Sequence, residues 1–364
     1  MSLRVLALNA GSSSLKWSVV ELPAGKALDS GNEEFAQGAA PELSAALARS
    51  QGVDAVAHRL VHGGSAFRQA VRIDEAVRVR LSELTAIDPL HAPRALAVLE
   101  AAQRAFPAVP HFACFDTAFH TTLPPEAFTY ALPRAWNERF GLRRYGFHGL
   151  SVAHAVHRAP ALARGPVARL VVCHLGSGCS LTAVEDGRSL DTTMGFTPLE
   201  GMPMATRSGS VDPGLLVHLL RDRGVSPAEL DRGLERESGL AGLSGVGGDL
   251  RAVLAAAKAA DAQAQLAYAV FIHGLRRALG QMLVSLDGLD ALVFTGGIGE
   301  HSARVRRDAL EGLGWLGLAL DPEKNGSARP DADISARESG PRVLVIEARE
   351  DLTMAREVAF ALGA

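Results

Sequence analysis

The chain has few cysteines, few aromatics, no long apolar run and no surplus of positive charge, and each shortage excludes a class of protein. Its three cysteines, Cys114, Cys173 and Cys179, form no C-x-x-C pair and cannot all be joined in disulfides, a usage that fits a reducing compartment. A net charge of −3 leaves no excess of Lys and Arg to displace the counterions of a nucleic acid. With aromatics at 5%, no aromatic-studded basic patch takes its place. No run approaches the ~20 apolar residues of a membrane helix; even LAYAVFIHGL contains His273. At the N-terminus the uninterrupted apolar run before Asn9 is Val5 to Leu8, too short for a signal-peptide core. The expectation is a soluble cytoplasmic protein with no membrane and no nucleic-acid partner. Gly-Lys-Ser/Thr, a complete G-x-G-x-x-G and G-x-S-x-G are also missing, so any nucleotide site must belong to another class.

What is present points to a chain of two halves. At 364 residues, 48% hydrophobic and 21% charged, the chain has the length of about two globular domains. Arg4 to Leu8 read as a strand, Asn9 to Ser14 as a small-residue turn, and Leu15 to Val20 as a returning strand. The pattern recurs with Leu170 to Cys173, the turn His174 to Ser180, and Leu181 to Val184. Backbone stripped of bulky side chains at such a turn can bring its N–H groups close to a phosphate. A duplicated domain would place the active site in the cleft between the halves. The alternative is coincidence, because Gly and Ser are common in any turn.

Several single residues stand out against bland alternatives. Arg59 precedes His62-Gly63-Gly64 and is either a cleft-facing cation or a surface ion-pair partner. His58 and His62 have zinc-helix spacing, but Arg59 stands where the helix motif has Glu and the glycines would end a helix. Asp116 ends the strand His111 to Phe115, as a metal ligand, a base or an N-cap. Arg143-Arg144-Tyr145-Gly146-Phe147-His148-Gly149 sets cations and a histidine among glycines, and Arg207 in Thr206-Arg207-Ser208-Gly209 is a candidate anion clamp. Helices are expected over Pro41 to Ser50, Asp74 to Asp88, Pro93 to Ala105, Asp212 to Arg223, Pro227 to Arg236, Asp261 to Leu286 and Asp351 to Leu362, with a Gly-rich loop at Ser238 to Gly248. The strand Ala291 to Thr295 runs into Gly296-Gly297-Ile298-Gly299, a turn suited to close approach by a nucleotide.

Taken together, LALNAGSSSLKWSVVE, HRLVHGG, DPLHAPRAL, FDTAFHTTLP, RRYGFHG, HLGSG, DTTMGFTPLEG, TRSGSVDPG, SGLAGLSG, FTGGIGEHS and AREDLTMAREV resemble the acetate kinase family, in the family's order and along nearly the whole chain. The resemblance implies a duplicated α/β fold of the actin, Hsp70 and sugar-kinase superfamily, a homodimer, and Mg-ATP-dependent phosphorylation of a short carboxylate. The domains would be 1–149 and 150–364, the second binding nucleotide and dimerising, with the last helix, about 351–364, returning to pack on the first half.

By position, the resemblance puts Asn9, Ser12, Ser14 and Lys16 at the phosphate end and Arg59 and Arg207 beside the transferring phosphoryl group. Asp116 and Glu350, with Asn9, would position Mg2+ or alternatively Mn2+. His148 would donate to the phosphoryl group, supported by His91 and His174. Val61, Leu90, Phe147 and Pro198 would line a pocket for the alkyl end of the substrate. His174, Leu175, Gly176, Ser177 and Gly178 would form a second phosphate turn. Asp249, Leu250, Arg251, Gly296, Gly297, Ile298 and Gly299 would hold the rest of the nucleotide. The chain departs from the family pattern at Leu150, Ser177, His301 and Arg349. Propionate in place of acetate, another phosphoryl donor, or a regulatory ATPase on the same fold are the competing readings.

Overall fold

Short strands alternating with helices build the chain twice over. The computed structural model describes residues 2–11, 14–35, 52–88 and 91–364; Ser12, Leu90 and the helix expected over residues 41–50 lie outside these. The chain divides into two compact units, one of Met1–Thr121, Phe147–His154 and Arg349–Ala364, the other of Thr122–Gly146 and Ala155–Ala348.

The first unit contains β1 (Leu3–Ala10), β2 (Ser14–Leu22), β3 (Lys26–Glu34), β4 (Ala55–Leu60), β5 (Val71–Arg72) and β6 (His111–Phe115), in the order β3-β2-β1-β4-β6-β5. Strands β1, β4 and β6 run parallel, and β2 returns antiparallel to β1. Side chains alternate between the two faces. Val5, Ala7, Ala55, Ala57, Phe112 and Cys114 pack with Leu352, Met354 and Val358 of the final helix, Glu350–Leu362. Leu6, Leu8 and Val56 face the other way, against Val98 and Ala102 of the helix Ala92–Ala105. That helix carries Pro in its first turn, where a missing N–H is harmless. The final helix ends at Gly363 in the left-handed conformation.

The second unit repeats the plan. Its strands are β7 (Arg169–Leu175), β8 (Cys179–Glu185), β9 (Arg188–Thr192), β10 (Ala291–Thr295), β11 (Ala332–Asp333) and β12 (Arg342–Val345), ordered β11-β12-β10-β7-β8-β9. Here β7, β10 and β12 are parallel and β8 returns antiparallel to β7. Each sheet thus has a parallel centre, a hairpin extension on one side and a short antiparallel strand at the other edge. This is the duplicated α/β architecture expected from the repeated strand-turn-strand pattern. The helix Ala262–Val284, capped by the Asp261 carboxylate, buries Ala264, Ala267, Phe271, Leu275, Ala278 and Met282 as one stripe.

Three local differences from the sequence expectation have physical causes. Lys26–Glu34 is almost wholly exposed; its strand character comes from backbone pairing to β2, which leaves no hydrophobic alternation to read. The turn expected over His174 to Ser180 is shorter, because the ladder continues through His174↔Ser180 and Leu175↔Cys179. Within the expected loop Ser238 to Gly248, Gly239–Ser244 is helical and buries Leu240. Gly239, at φ 61°, sits where a Cβ would come within 2.2 Å of the Met204 carbonyl oxygen.

Buried histidines in the first unit make its stability pH-dependent. The Phe106 carbonyl can only accept, so His111 Nε2 donates to it at 3.1 Å and His111 Nδ1 accepts from His58 Nε2 at 2.9 Å. Burial holds both rings below the ordinary histidine value. Burial also lowers His120, which donates to the Phe147 carbonyl at 2.9 Å, to about 4. The unfolded chain takes up these protons below 6.5, which the folded chain refuses at His120 until about 4. Their contribution is therefore present above 6.5 and is lost as pH falls through that window. The urea midpoint is expected to drop between pH 7 and pH 5, and to drop less in His120→Gln, which keeps an N–H for Phe147. The same drop in both proteins would refute this assignment.

Candidate functional site

Alternation along parallel strands sets three polar side chains in a row. Asn9 continues the face of Val5 and Ala7, Arg59 that of Ala55 and Ala57, and Asp116 that of Phe112 and Cys114. Register completes the alignment, since Leu8 lies opposite His58 and Arg59 opposite Cys114, and the Asp116 N–H donates to Leu60 O at 3.0 Å. The final helix covers this face, and its first residue, Glu350, joins the row.

Arg59 is the hub. Its Nε donates to Asp116 Oδ1 at 3.0 Å and its Nη2 to Asp116 Oδ2. Its Nη1 donates to Asn9 Oδ1 at 2.9 Å, and Nε lies 3.7 Å from Glu350 Oε2. Asn9 Nδ2 donates to that Glu350 oxygen at 2.7 Å. The Asp116 side chain is 1% exposed and that of Arg59 15%. Burial pushes the Asp116 carboxyl up to about 6, opposed by Arg59 and reinforced by Glu350. Among the described residues no group of three or more His, Cys, Asp and Glu gathers as a metal cage. The donor set here, two carboxylates and an amide oxygen, suits a hard cation that is otherwise ligated by water and phosphate.

Around the hub, His91 Nδ1 and its backbone N–H both reach Asp88 Oδ1, at 2.8 and 3.2 Å. Sequence reading missed Asp88; its only signal was the Asp-Pro-Leu-His spacing. His148 has φ 56°, a left-handed conformation that non-glycine residues adopt rarely. The next residue, Gly149, donates its N–H to Asp116 O at 2.8 Å. Phe147 is buried and Val61 half-buried, and the Phe147 ring meets His62 edge-on at 5.5 Å. Ser14 O accepts from Gly11 N at 2.8 Å, and the exposed Lys16 pairs in register with Asn9. Arg349 bonds Asp351 through Nε and Nη2, at 2.9 and 3.1 Å, and Ser18 Oγ donates to the same carboxylate.

In the second unit the β7-β8 turn is closed by Gly176 N donating to Gly178 O at 2.9 Å. His174 is buried beside it, and Ser177 is exposed, with its carbonyl accepting from Ala205 N at 3.2 Å. Gly296, at φ 75°, packs onto this turn, where a Cβ would lie 2.8 Å from Leu175 O. The segment Gly296–His301 is itself a helix rather than a turn before one. Gly297 is exposed with open space at its Cβ position, Ile298 is half-buried and Gly299 buried. Asp249 caps the helix Leu250–Lys258 and pairs with Arg251, both at the surface, while Leu250 points into the core. Arg207 Nε is 3.0 Å from Glu235 Oε2, and its Nη1 donates to Pro198 O at 3.3 Å. Glu235 was not singled out in the sequence.

Gly149 has a function only glycine can fill, because a Cβ there would lie 2.2 Å from Asp116 O. Gly149→Ala is expected to destabilise by about 1–3 kcal/mol and to lower turnover more than the distant control Gly233→Ala, which meets open space. Wild-type melting and turnover in Gly149→Ala would show that the Asp116 loop is not held this way.

Comparison with known proteins gives the same assignment as the motifs. The model of the Acetokinase family matches residues 37–356. An acetate kinase of Synechococcus sp. (strain JA-2-3B'a(2-13)) is 50% identical over 311 residues, covering 85% of this chain and 77% of that protein. One of Gloeobacter violaceus is 50% identical over 308 residues, covering 84% and 76%. The crystal structure of Porphyromonas gingivalis acetate kinase superposes with a TM-score of 0.89 at 32% identity, covering 99% of this chain and 100% of that one. A propionate kinase from Francisella tularensis gives 0.88 at 32% identity, covering 98% of each. The chain belongs to the acetokinase family.

Proposed function

We propose that this protein is an acetate kinase, transferring the γ-phosphoryl group of Mg-ATP reversibly to acetate to give acetyl phosphate and ADP. The observation that carries this is the buried network of Arg59 with Asn9, Asp116 and Glu350, supported by the family's membership of short-carboxylate kinases.

Acetate is already an anion near neutral pH, so no residue need take its proton. The difficulty is to bring that anion to a polyphosphate and to stabilise charge on the equatorial oxygens during in-line transfer. Arg59 and Arg207 are assigned to that charge. Arg59 is locked by Asp116, and Arg207 by Glu235 and the Pro198 carbonyl. His148 is assigned as a donor to the transferred group, with His91 and His174 in support. Glu350 and Asp116, with Asn9, would hold Mg2+ or Mn2+, whose charge offsets that of the phosphates. Val61, Phe147 and Pro198 are assigned to the methyl group of acetate. Ser14, Lys16 and the Gly176–Gly178 turn are assigned to the phosphates, and Gly296 to Gly299 with Asp249 and Arg251 to the nucleoside. Transfer is direct, without a phosphoenzyme.

Propionate is the second reading, on the strength of the propionate kinase match, since one methylene in an apolar pocket changes discrimination by only ~1–3 kcal/mol. Incubation with Mg-ATP and hydroxylamine is expected to give most hydroxamate from acetate and less from propionate. Preference for propionate would change the substrate. ATP hydrolysis without hydroxamate from either would favour a regulatory ATPase. Arg59→Lys and Arg207→Lys are each expected to lower kcat by ~100–1000-fold, as measured by the same assay.

The protein is further assigned as a cytoplasmic homodimer. All three cysteines are free and buried, and no described helix is long and apolar enough to cross a membrane. The helix Pro213–Asp222 buries none of its residues. Its Leu215, Val217 and Leu220 are 47%, 52% and 40% exposed, an apolar face that a second copy would cover. Light scattering is expected to give a dimer for the wild type and a smaller mass for Leu215→Glu; a monomeric wild type would refute the assignment.

A further inference from the structure

The segment from Thr192 to Gly201, which carries Pro198, has almost no regular secondary structure, yet one guanidinium grips both its ends. Arg144 Nη1 lies 3.1, 3.1 and 3.0 Å from the carbonyl oxygens of Thr192, Thr193 and Met194. Its Nη2 donates to Glu200 Oε1 at 2.7 Å. The other Glu200 oxygen accepts from Tyr130 Oη at 2.6 Å, and Tyr130 Oη accepts in turn from Phe196 N at 2.8 Å. Burial, with Glu200 adding to it, holds the Tyr130 phenol above its ordinary value, so it stays a donor.

Gly195 is the void that lets these groups converge. A Cβ there would fall 1.8 Å from Glu200 Oε2 and 2.2 Å from Tyr130 Oη. The carbonyl of Gly195 accepts from the Tyr145 and Gly146 N–H groups at 3.0 and 3.3 Å. Residues 195–199 therefore form a loop closed at its base by a charged pair and at its side by a phenol. Pro198 lies within it, and its carbonyl is the acceptor for Arg207 Nη1.

We infer that Glu200, Arg144 and Tyr130 are positioning residues that set the Pro198 wall of the substrate pocket and, through the Pro198 carbonyl, the aim of Arg207. The inference rests on the assignment of Pro198 and Arg207 given above. None of the three touches substrate in this scheme. They act by denying the loop alternative shapes, and a planar fork that holds several acceptors at once does this where a lysine point charge would not. The consequence is selective: carboxylate handling depends on the brace, and nucleotide binding does not.

Glu200→Gln keeps the shape and removes the charge, while Tyr130→Phe removes only a hydroxyl and keeps the ring. In Glu200→Gln, kcat/KM for acetate is expected to fall about tenfold while KM for ATP moves less than about twofold, as befits loss of one charge-assisted contact. The acetate-to-propionate ratio of kcat/KM should narrow by about threefold as the wall relaxes, within the range one methylene can control. Tyr130→Phe should move the same quantities in the same direction by less. Unchanged acetate kinetics in both folded variants would overturn the inference. So would a parallel worsening of ATP and acetate KM with a lowered Tm and an unchanged acetate-to-propionate ratio, which is the signature of general loosening. If the wild type makes no hydroxamate from either carboxylate, the underlying assignment of Pro198 and Arg207 fails and the inference with it.

Discussion

A permanent positive charge with only 15% of its side chain exposed governs the first unit. The Arg59 guanidinium cannot shed its proton, so anionic and amide oxygens must surround it. Asp116 takes two of its N–H edges, Asn9 a third, and Glu350 closes the ring through Asn9. Breaking such a buried pair costs about 3–5 kcal/mol, because it strands the remaining charge. The same arrangement keeps a cation oriented and poorly hydrated, which is the condition for it to act strongly on an incoming anion. Stability and the chemistry proposed for this site thus draw on one set of contacts, which Gly149 supports by bringing its N–H to the Asp116 carbonyl.

The two sheets share a strand order and diverge at their strand ends. Where β1, β4 and β6 lead to Asn9, Arg59 and Asp116, the matching strands β7, β10 and β12 lead to His174, Thr295 and Ile346. The second unit offers backbone instead, in the Gly176–Gly178 turn and the Gly296–Gly299 segment that packs on it. At these strand ends the first unit thus carries charged and amide side chains and the second carries mostly glycine backbone.

Two arginines of the second unit grip carbonyls where regular elements end or meet. Arg144 does this for residues 192–194. Arg306, 1% exposed, donates to the carbonyls of Gly299, Glu300 and Asn325, and burial lowers it to about 10. In both cases one planar fork takes up several carbonyls at once, at the end of a strand for Arg144 and within two short helices for Arg306.

Much of this was legible in the residues. Both strand-turn-strand repeats stood out, because alternation and small-residue turns are local properties, and the ordered motifs named Arg59, Asp116, His148, Arg207 and Glu350. The exposed strand Lys26–Glu34 was not legible, since it has no apolar face. Nor was the pairing of His91 with Asp88, of Arg207 with Glu235, or the closure of the Pro198 loop by Tyr130, Arg144 and Glu200. Residue type and spacing along the chain determined which groups this protein has available: a row of parallel strand ends, two glycine turns and the arginines set among them. Only the tertiary structure decided which carboxylates Arg59, Arg144 and Arg207 meet, because these partners lie tens to hundreds of residues apart and are chosen by sheet register and helix packing, as when Glu350 arrives on the last helix beside Asn9 of the first strand.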